Sequence, residues 1–481
     1  MLARLPRRYP VIIGRLANFL LFPLALMLMH FSLSADFALA AETDFPIYPE
    51  ISDSVRFWEK IYSEYTLSQG VVHDRNDLSV IYAMVNLARP TSRESERANR
   101  RRVEVVKERY RRILHKLAIG GKPSGFEERR VLHLFGPNPS RRVLENAVDN
   151  IRMQIGQRGR FRQGMIRAGA HIETIRAIFR EYDLPEELAY LIHVESSFNQ
   201  KARSRAGAVG LWQFTRGTGQ NYLAIGAAVD ERCDPLKATR GAAEFLRDNY
   251  LELGSWPLAI TAYNYGQNGM KRAVLAQGDF PSIIREYDGK SFGFASRNFY
   301  AEFLAAKRVA ENYRDYFGEL PIEKPVTLYR MPLEGFIDAR QLAGYLNIDL
   351  ETIKRYNPDL SRGAILGKKL IPAGYQLQLP LSFGRELLRV GDIPRTIFRT
   401  VQKDHLFHKV REGETVYDIA RRYKVEVEEL LYANQISSES VIFAGQNLRI
   451  PRIYGPPDIL LTGIYKVAVR NASKANNEQD V

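Results

Sequence analysis

Cysteine is almost missing from this chain. Cys233 stands alone among 481 residues, so no intramolecular disulfide can form, and the lone thiol is expected to pack as a small apolar group. No cysteine lies near the amino terminus, which excludes anchoring through a lipidated N-terminal cysteine. Acidic residues are short too: 55 Asp and Glu stand against 69 Lys and Arg, a formal net charge of +14. The shortage is sharpest from Ser196 to Val229, where no Asp or Glu occurs at all. A balance this basic implies an anionic partner, which leaves nucleic acid, a membrane surface or an acidic polymer.

The first forty residues choose among these. Arg4, Arg7, Arg8 and Arg15 precede an apolar run from Leu16 to Leu33, and Ala38-Leu39-Ala40 stands before Ala41. This is the layout of a secretory signal with a small-residue cleavage site, and an uncleaved anchor through residues 16–33 is its alternative. Export to a periplasm or cell envelope excludes nucleic acid as a partner and leaves open a peripheral contact with membrane. The remaining length suffices for two to four domains.

Residues 41–165 read as a mostly helical region. Apolar residues at mixed spacing run from Val55 to Tyr65 and from Leu78 to Leu87, and Arg93 to His115 is dense in arginine. Interleaved Glu94, Glu96, Glu104 and Glu108 favour a solvated helix face there, with an anionic-polymer contact as the alternative. Met153 to Arg167 is expected to be a helix docking this region on the domain that begins at residue 166.

The chemistry gathers in Asp183 to Phe214. Asp183 is placed to cap a helix, with Pro185 in its first turn and Glu186 and Glu187 at its positive end. Leu188, Leu191 and Ile192 then form a stripe at helical spacing whose next position is Glu195. Ser196, Ser197 and Asn199 signal that the helix is ending. Burial on that stripe and the negative helix end both disfavour the carboxylate, so Glu195 is expected to hold its proton near neutral pH, as a general acid must. With no acid following it closely, a two-carboxylate glycosidase mechanism would need a partner from elsewhere in the chain. Downstream, Asp234-Pro235 opens a helix to Leu253 that Gly254 stops, and a second helix runs from Trp256 to Gly266.

Four ordered motifs carry a resemblance: Glu195-Ser196, Ser204, Gly210-Leu211-Trp212-Gln213, and Ala262-Tyr263-Asn264-Tyr265-Gly266. Together they resemble soluble lytic transglycosylase (SLT) domains, and the tryptophan at 212 is similar to a membrane-bound branch of that family. The resemblance implies a lysozyme-like catalytic domain over residues 166–319 acting on peptidoglycan glycan strands without metal or cofactor. It implies Glu195 as the catalytic acid and base, Tyr263 as its hydrogen-bonding partner, and Ser204, Gln213 and Asn264 as substrate contacts. The family's tyrosine in the last helix is displaced here to Phe299-Tyr300, so Tyr300 enters as a further substrate-contact candidate. A goose-type lysozyme-like hydrolase and a non-catalytic wall-binding scaffold are the alternatives.

Past Pro321 and Pro325 the chain repeats itself. Ala343 to Asn357 aligns without a gap on Ala420 to Asn434, and each copy closes on a matching segment, Ala373–Pro380 and Ala444–Pro451. The second copy, with its His408-Lys409-Val410 and Glu412-Gly413-Glu414-Thr415 opening, resembles LysM, which implies a strand-helix-helix-strand module binding N-acetylglucosamine-containing glycan near Gly413, Thr415 and Asn434 over a core holding Ile419 and Leu430. The first copy lacks that opening and is LysM-like, a glycan binder or a structural spacer. The expected whole is mainly α and multidomain: signal peptide 1–40, helical region 41–165, SLT domain 166–319, degenerate LysM-like module 326–381, LysM 405–452, and a disordered tail 453–481. Oligomeric state is left open.

Overall fold

The computed structural model describes residues 44–402 and, with short gaps, 406–450. The proposed signal peptide and the 453–481 tail lie outside the described residues. Among those described, no helix is long and apolar enough to cross a membrane.

The amino-terminal third corrects the helical expectation. Helix α1 (Pro49–Ser63) is followed by strands β1 (Gln69–Asp74) and β2 (Ile81–Asn86), helices α2 (Arg93–Ala118), α3 (Phe126–His133) and α4 (Arg141–Asp149), and strand β3 (Ile151–Ile155). The strands form an antiparallel sheet in the order β2-β1-β3. Thus the apolar residues near 81–86 are a strand, and the helix expected from Met153 begins only at Arg158 because its first residues pair with β1. Val72, Tyr82 and Val85 of the sheet pack against Val103, Tyr110 and Leu114 of α2. The opposite side of α2 presents Arg97, Arg100, Arg101 and Arg112 to solvent, the solvated face expected of interleaved charge.

Helix α5 (Arg158–Ala168) leads to α6 (Ile172–Glu181), a 3-10 turn (Glu186–Tyr190) and the short helix α7 (Leu191–Glu195). Asp183 does not cap this element: its φ is +55°, a left-handed linker conformation, and the helical path starts later, after Pro185. Next, α8 runs Pro235–Leu253 with Asp234 Oδ1 accepting from the backbone N–H of Leu236 and Lys237, each at 2.9 Å, and Gly254 ends it at φ +76°. Both boundaries fall where the cap, proline and glycine put them. Helix α9 (Trp256–Tyr265) and the long α10 (Phe294–Glu311) complete the core, with α10 lying along α1 and touching α7 and α9. Cys233 is half-buried just before α8, and burial pushes its thiol up to about 11.

The two repeats fold alike. In the first, β4 (Leu328–Pro332) pairs antiparallel with β5 (Gln376–Pro380) around α11 (Ala339–Leu346) and α12 (Leu350–Tyr356). In the second, β6 (Leu406–Lys409) pairs with β7 (Asn447–Ile450) around α13 (Val416–Tyr423) and α14 (Val427–Asn434). Ile353 and Leu430, aligned in sequence, are both fully buried, as is Ile419. The first copy is braced to the core. Its Asp359 accepts from Lys237 Nζ at 2.8 Å and from the Tyr375 hydroxyl at 2.5 Å, Gln378 donates to Asp234 at 2.7 Å, and Ser361 donates to the Ala227 carbonyl at 2.7 Å.

Candidate active site

Glu195 is the last residue of α7, and the backbone just beyond it is tightly bent. Ser197 and Phe198 both take positive φ, +49° and +56°, a left-handed turn unusual for residues with a Cβ. Three groups hold it. Arg167 of α5 donates to the carbonyls of Ser197 (2.5 Å) and Phe198 (3.2 Å), filling acceptors that the helix end leaves unpaired. His193 stacks on Phe161 at 4.5 Å with Phe198 edge-on to it. Gly164 lets α5 come so near that an added Cβ would lie 3.0 Å from the Ser197 carbonyl oxygen.

The Glu195 carboxyl is half-buried, enclosed by protein on most sides, and burial pushes it up to about 8. A carboxyl in that range is largely protonated at neutral pH. Helix position and apolar spacing point to the same raised carboxyl, although the stripe runs through a 3-10 turn and one short helix.

The acid-free stretch forms the adjoining wall. Short bridges join Arg203 to Val209 and Val209 to Phe214. Gly210, at φ +80°, passes so close to the Arg232 carbonyl that a Cβ would sit 2.0 Å from its oxygen, so only glycine fits. Trp212 is fully buried and donates to Thr239 Oγ1 at 2.8 Å.

Tyr263, near the end of α9, lies where it senses the Glu195 charge; burial first and then that carboxylate keep its hydroxyl protonated far above the usual range. The hydrogen bond to Glu195 that the resemblance implies is not made. The Tyr263 hydroxyl donates instead to the Trp212 carbonyl at 2.7 Å, tying α9 to the wall. The other expected contacts are placed less directly. Ser204 is exposed, and its Oγ accepts from the Ala208 N–H at 3.0 Å, closing its own loop. Gln213, at φ +48°, donates to the Gly210 carbonyl at 2.8 Å, and exposed Asn264 accepts from Ser296 at 2.8 Å. Tyr300 is a correction: it is fully buried, edge-on to Phe280 at 5.1 Å, and is a core residue rather than a substrate contact. Its helix turns Glu302 toward the site instead.

Glu302 and Tyr62 are what the sequence reasoning missed. Tyr62 of α1 donates to Glu302 Oε2 of α10 at 3.3 Å, and both feel the charge of Glu195. Burial, with Glu195 adding to it, pushes the Glu302 carboxyl up to about 8. One signal was available: Glu302 is the only polar side chain between Phe299 and Ala306 apart from the Tyr300 hydroxyl, the same acid-in-an-apolar-run pattern that singled out Glu195. Tyr62 gives no such signal.

In the second repeat, exposed Gly413 takes φ +80° and Thr415 exchanges hydrogen bonds with Asp418, capping α13; its hydroxyl donates at 2.7 Å. Asn434 donates to the Leu430 carbonyl at 2.7 Å. These three shape the module's loops and helix ends.

A half-buried acid on a tightly bent helix end thus stands beside a glycine-dependent loop and half-buried Tyr263, and sequence comparisons bear on this arrangement. Residues 174–284 match the transglycosylase SLT domain family and residues 408–451 match the LysM domain, so the chain carries an SLT domain followed by a carboxyl-terminal LysM domain. It is homologous to the membrane-bound lytic murein transglycosylase D of Escherichia coli K12, 28% identical over 305 residues. The match takes in 59% of this chain and 64% of that protein, so the chain spans a little under two thirds of that relative's length. It is also similar to the transglycosylase of Enterobacteria phage PRD1, 31% identical over 119 residues, 24% of this chain and 40% of that one. Among solved structures, the 70 kDa soluble lytic transglycosylase of E. coli is similar at 16% identity over 47% of this chain and 45% of that chain, with a TM-score of 0.25.

Proposed function

We propose that this protein is a lytic transglycosylase of the cell envelope that cleaves the MurNAc–GlcNAc β-1,4 bond of peptidoglycan and leaves a 1,6-anhydro end. The observation that carries this reading is the half-buried place of Glu195 at its helix end, where burial pushes its carboxyl up to about 8 and so favours the protonated form near neutral pH. In the first step Glu195 gives its proton to the glycosidic oxygen, the C1–O4 bond breaks, and the GlcNAc chain leaves as its 4-hydroxyl. The carbonyl oxygen of the MurNAc N-acetyl group bonds to C1 and takes up the positive charge. Glu195, now a carboxylate, removes the proton from the C6 hydroxyl as O6 attacks C1 and displaces the N-acetyl oxygen. The acid is regenerated and no water is consumed.

The Tyr263 hydroxyl, protonated and beside Glu195, is the donor best placed to turn from the Trp212 carbonyl toward substrate. The LysM domain adds a second hold on glycan, with Gly413, Thr415 and Asn434 on its loops, while the amino-terminal signal delivers the chain to the wall. Pre-positioned donors of this kind contribute on the order of a few kcal/mol to the transition state.

Glu302 supports a second reading, because a goose-type hydrolase would use a second carboxylate to direct water. Product mass separates the two. Sacculi digested with the mature protein are expected to release anhydro-ended fragments, each lighter than the hydrolytic product by one water; fragments with reducing ends would remove the transglycosylase reading and favour the hydrolase.

A further inference from the structure

A groove of about 670 Å³ lies where the amino-terminal sheet, α2 and the loop after Ser204 meet. Its floor is aliphatic: Leu87 and Val103 are buried, Met153 is half-buried, and Leu67 and Ile155 are left exposed although both are large and apolar. Its rim carries Arg100 and Arg101 from α2 and Arg205 from the loop. The wall between β2 and α2 is tied down, because Asn99 donates to the Ala88 carbonyl at 2.7 Å and accepts from the Ala88 N–H at 2.9 Å, while Arg102 donates to the Asn86 carbonyl at 2.7 Å. Among the described residues, none of the guanidinium groups of Arg100, Arg101 and Arg205 makes a hydrogen bond or an ion pair. Of the two acids on the rim, Glu104 is already paired with Arg111 at 2.6 Å, which leaves three cations against Glu96. From this lining we infer that the groove binds the acidic peptides that peptidoglycan carries on the lactyl group of MurNAc, holding them while the strand is cut at Glu195. The inference rests on the reading of peptidoglycan as substrate.

The chemistry of the lining selects this part of the substrate over the sugars. A sugar ring is held by stacking on an aromatic face and by a dense set of hydrogen-bonding groups, and no aromatic side chain lines the groove among the described residues. A short peptide rich in alanine and carboxylates fits both surfaces: its methyl and methylene groups cover the aliphatic floor, and its carboxylates meet the forked donors of the arginines. Arg205 follows Ser204 in the loop that walls the candidate site, so the groove opens at the edge of that wall. A strand lying along the wall presents its peptides there at high effective concentration, and ion pairs too weak to capture a free peptide then suffice. Two of the arginines on the solvated face of α2 acquire a role in this way.

The test compares kcat/KM of the full chain on soluble peptide-bearing glycan strands and on the same strands stripped of peptide by an amidase. Wild type is expected to favour the peptide-bearing strands by roughly tenfold. Arg100→Glu with Arg101→Glu is expected to bring that ratio close to one through loss on the peptide-bearing strands alone, and Arg205→Ala to lower it by about threefold. Arg97→Glu with Arg112→Glu changes the charge of α2 equally at exposed positions outside the groove and is expected to keep the wild-type ratio. A wild-type ratio of one, or a ratio that both groove variants leave unmoved, would overturn the inference. So would an equal loss in the Arg97→Glu, Arg112→Glu chain, which would show bulk charge and not a site. Rates on stripped strands report the fold of each variant; if the double groove variant loses those too, Arg205→Ala decides. The ratio is indifferent to how the products end, so reducing ends would remove the transglycosylase reading alone, whereas no cleavage of either strand would remove the peptidoglycan reading itself.

Discussion

Glu195→Gln is expected to lower turnover of sacculi by about a thousandfold or more while leaving the fold and the affinity for glycan intact. The amide matches the carboxyl in shape but has no acidic proton to give and cannot act as the base that the second step needs, so both halves of the cycle fail together. Nothing in the local structure leans on the charge. Arg167 holds the turn through backbone carbonyls, and no salt bridge to Glu195 is formed among the described residues. Binding is expected to persist because the LysM domain, residues 408–451, is a separate module. Turnover is read by release of soluble fragments and binding by cosedimentation with sacculi; wild-type release by the variant would take the acid role from Glu195.

Asp359→Ala is expected to give the largest loss of stability, about 3 kcal/mol, the low end for a broken buried pair, because it removes the fully buried partner of an ion pair and leaves Lys237, whose side chain is 27% exposed, without it. Asp359 is 1% exposed, and its two oxygens accept from Lys237 and Tyr375. Burial by itself would lower the Lys237 ammonium, but Asp359 and then Glu231 more than offset that and hold it above its ordinary range. Without Asp359 the Tyr375 hydroxyl is left with the Asn357 side-chain carbonyl at 3.2 Å, and Lys237 is left with Glu231 at 3.2 Å and the face of the Tyr375 ring. On the usual scale of about 2–4 °C per kcal/mol for a domain of this size, Tm falls by on the order of 10 °C. The loss is expected in the unit formed by the SLT domain and the first repeat, and thermal unfolding with and without the substitution measures it. An unchanged Tm would mean that the contact between the first repeat and the core carries no stability.

This contact also distinguishes the two similar modules. Two positions past the aligned asparagines, the first copy has Asp359 and the second has Ile436. The first copy thus commits the loop after its second helix to the SLT domain, which supports its reading as a structural brace.

What the sequence made legible was local. The cap, proline and glycine around Pro235–Leu253 are adjacent signals with single meanings, and the repeat aligned without a gap, so both were readable residue by residue. The amino-terminal sheet was not, because β1 pairs with β3 some eighty positions away and is buried on both faces, leaving no alternation to read. Glu195 stood out because an acid on an apolar stripe breaks a pattern. Glu302 breaks one too, but its meaning depends on α1 and α10 meeting, and Tyr62 lies 240 residues away in the chain. The same long-range packing misplaced Tyr300: a shift by one position along a helix turns a side chain by about 100°, which moves this one from the site into the core.

The central claim is that the Glu195 carboxyl is still an acid at neutral pH. Carbon-13 NMR of the glutamate side-chain carboxyls, with the Glu195 signal assigned by its loss in Glu195→Gln, measures this in the free protein. The midpoint of its titration is predicted near 8, raised by burial; a midpoint near 4.5, the ordinary glutamate range, would mean that Glu195 is already a carboxylate at neutral pH and would contradict the account.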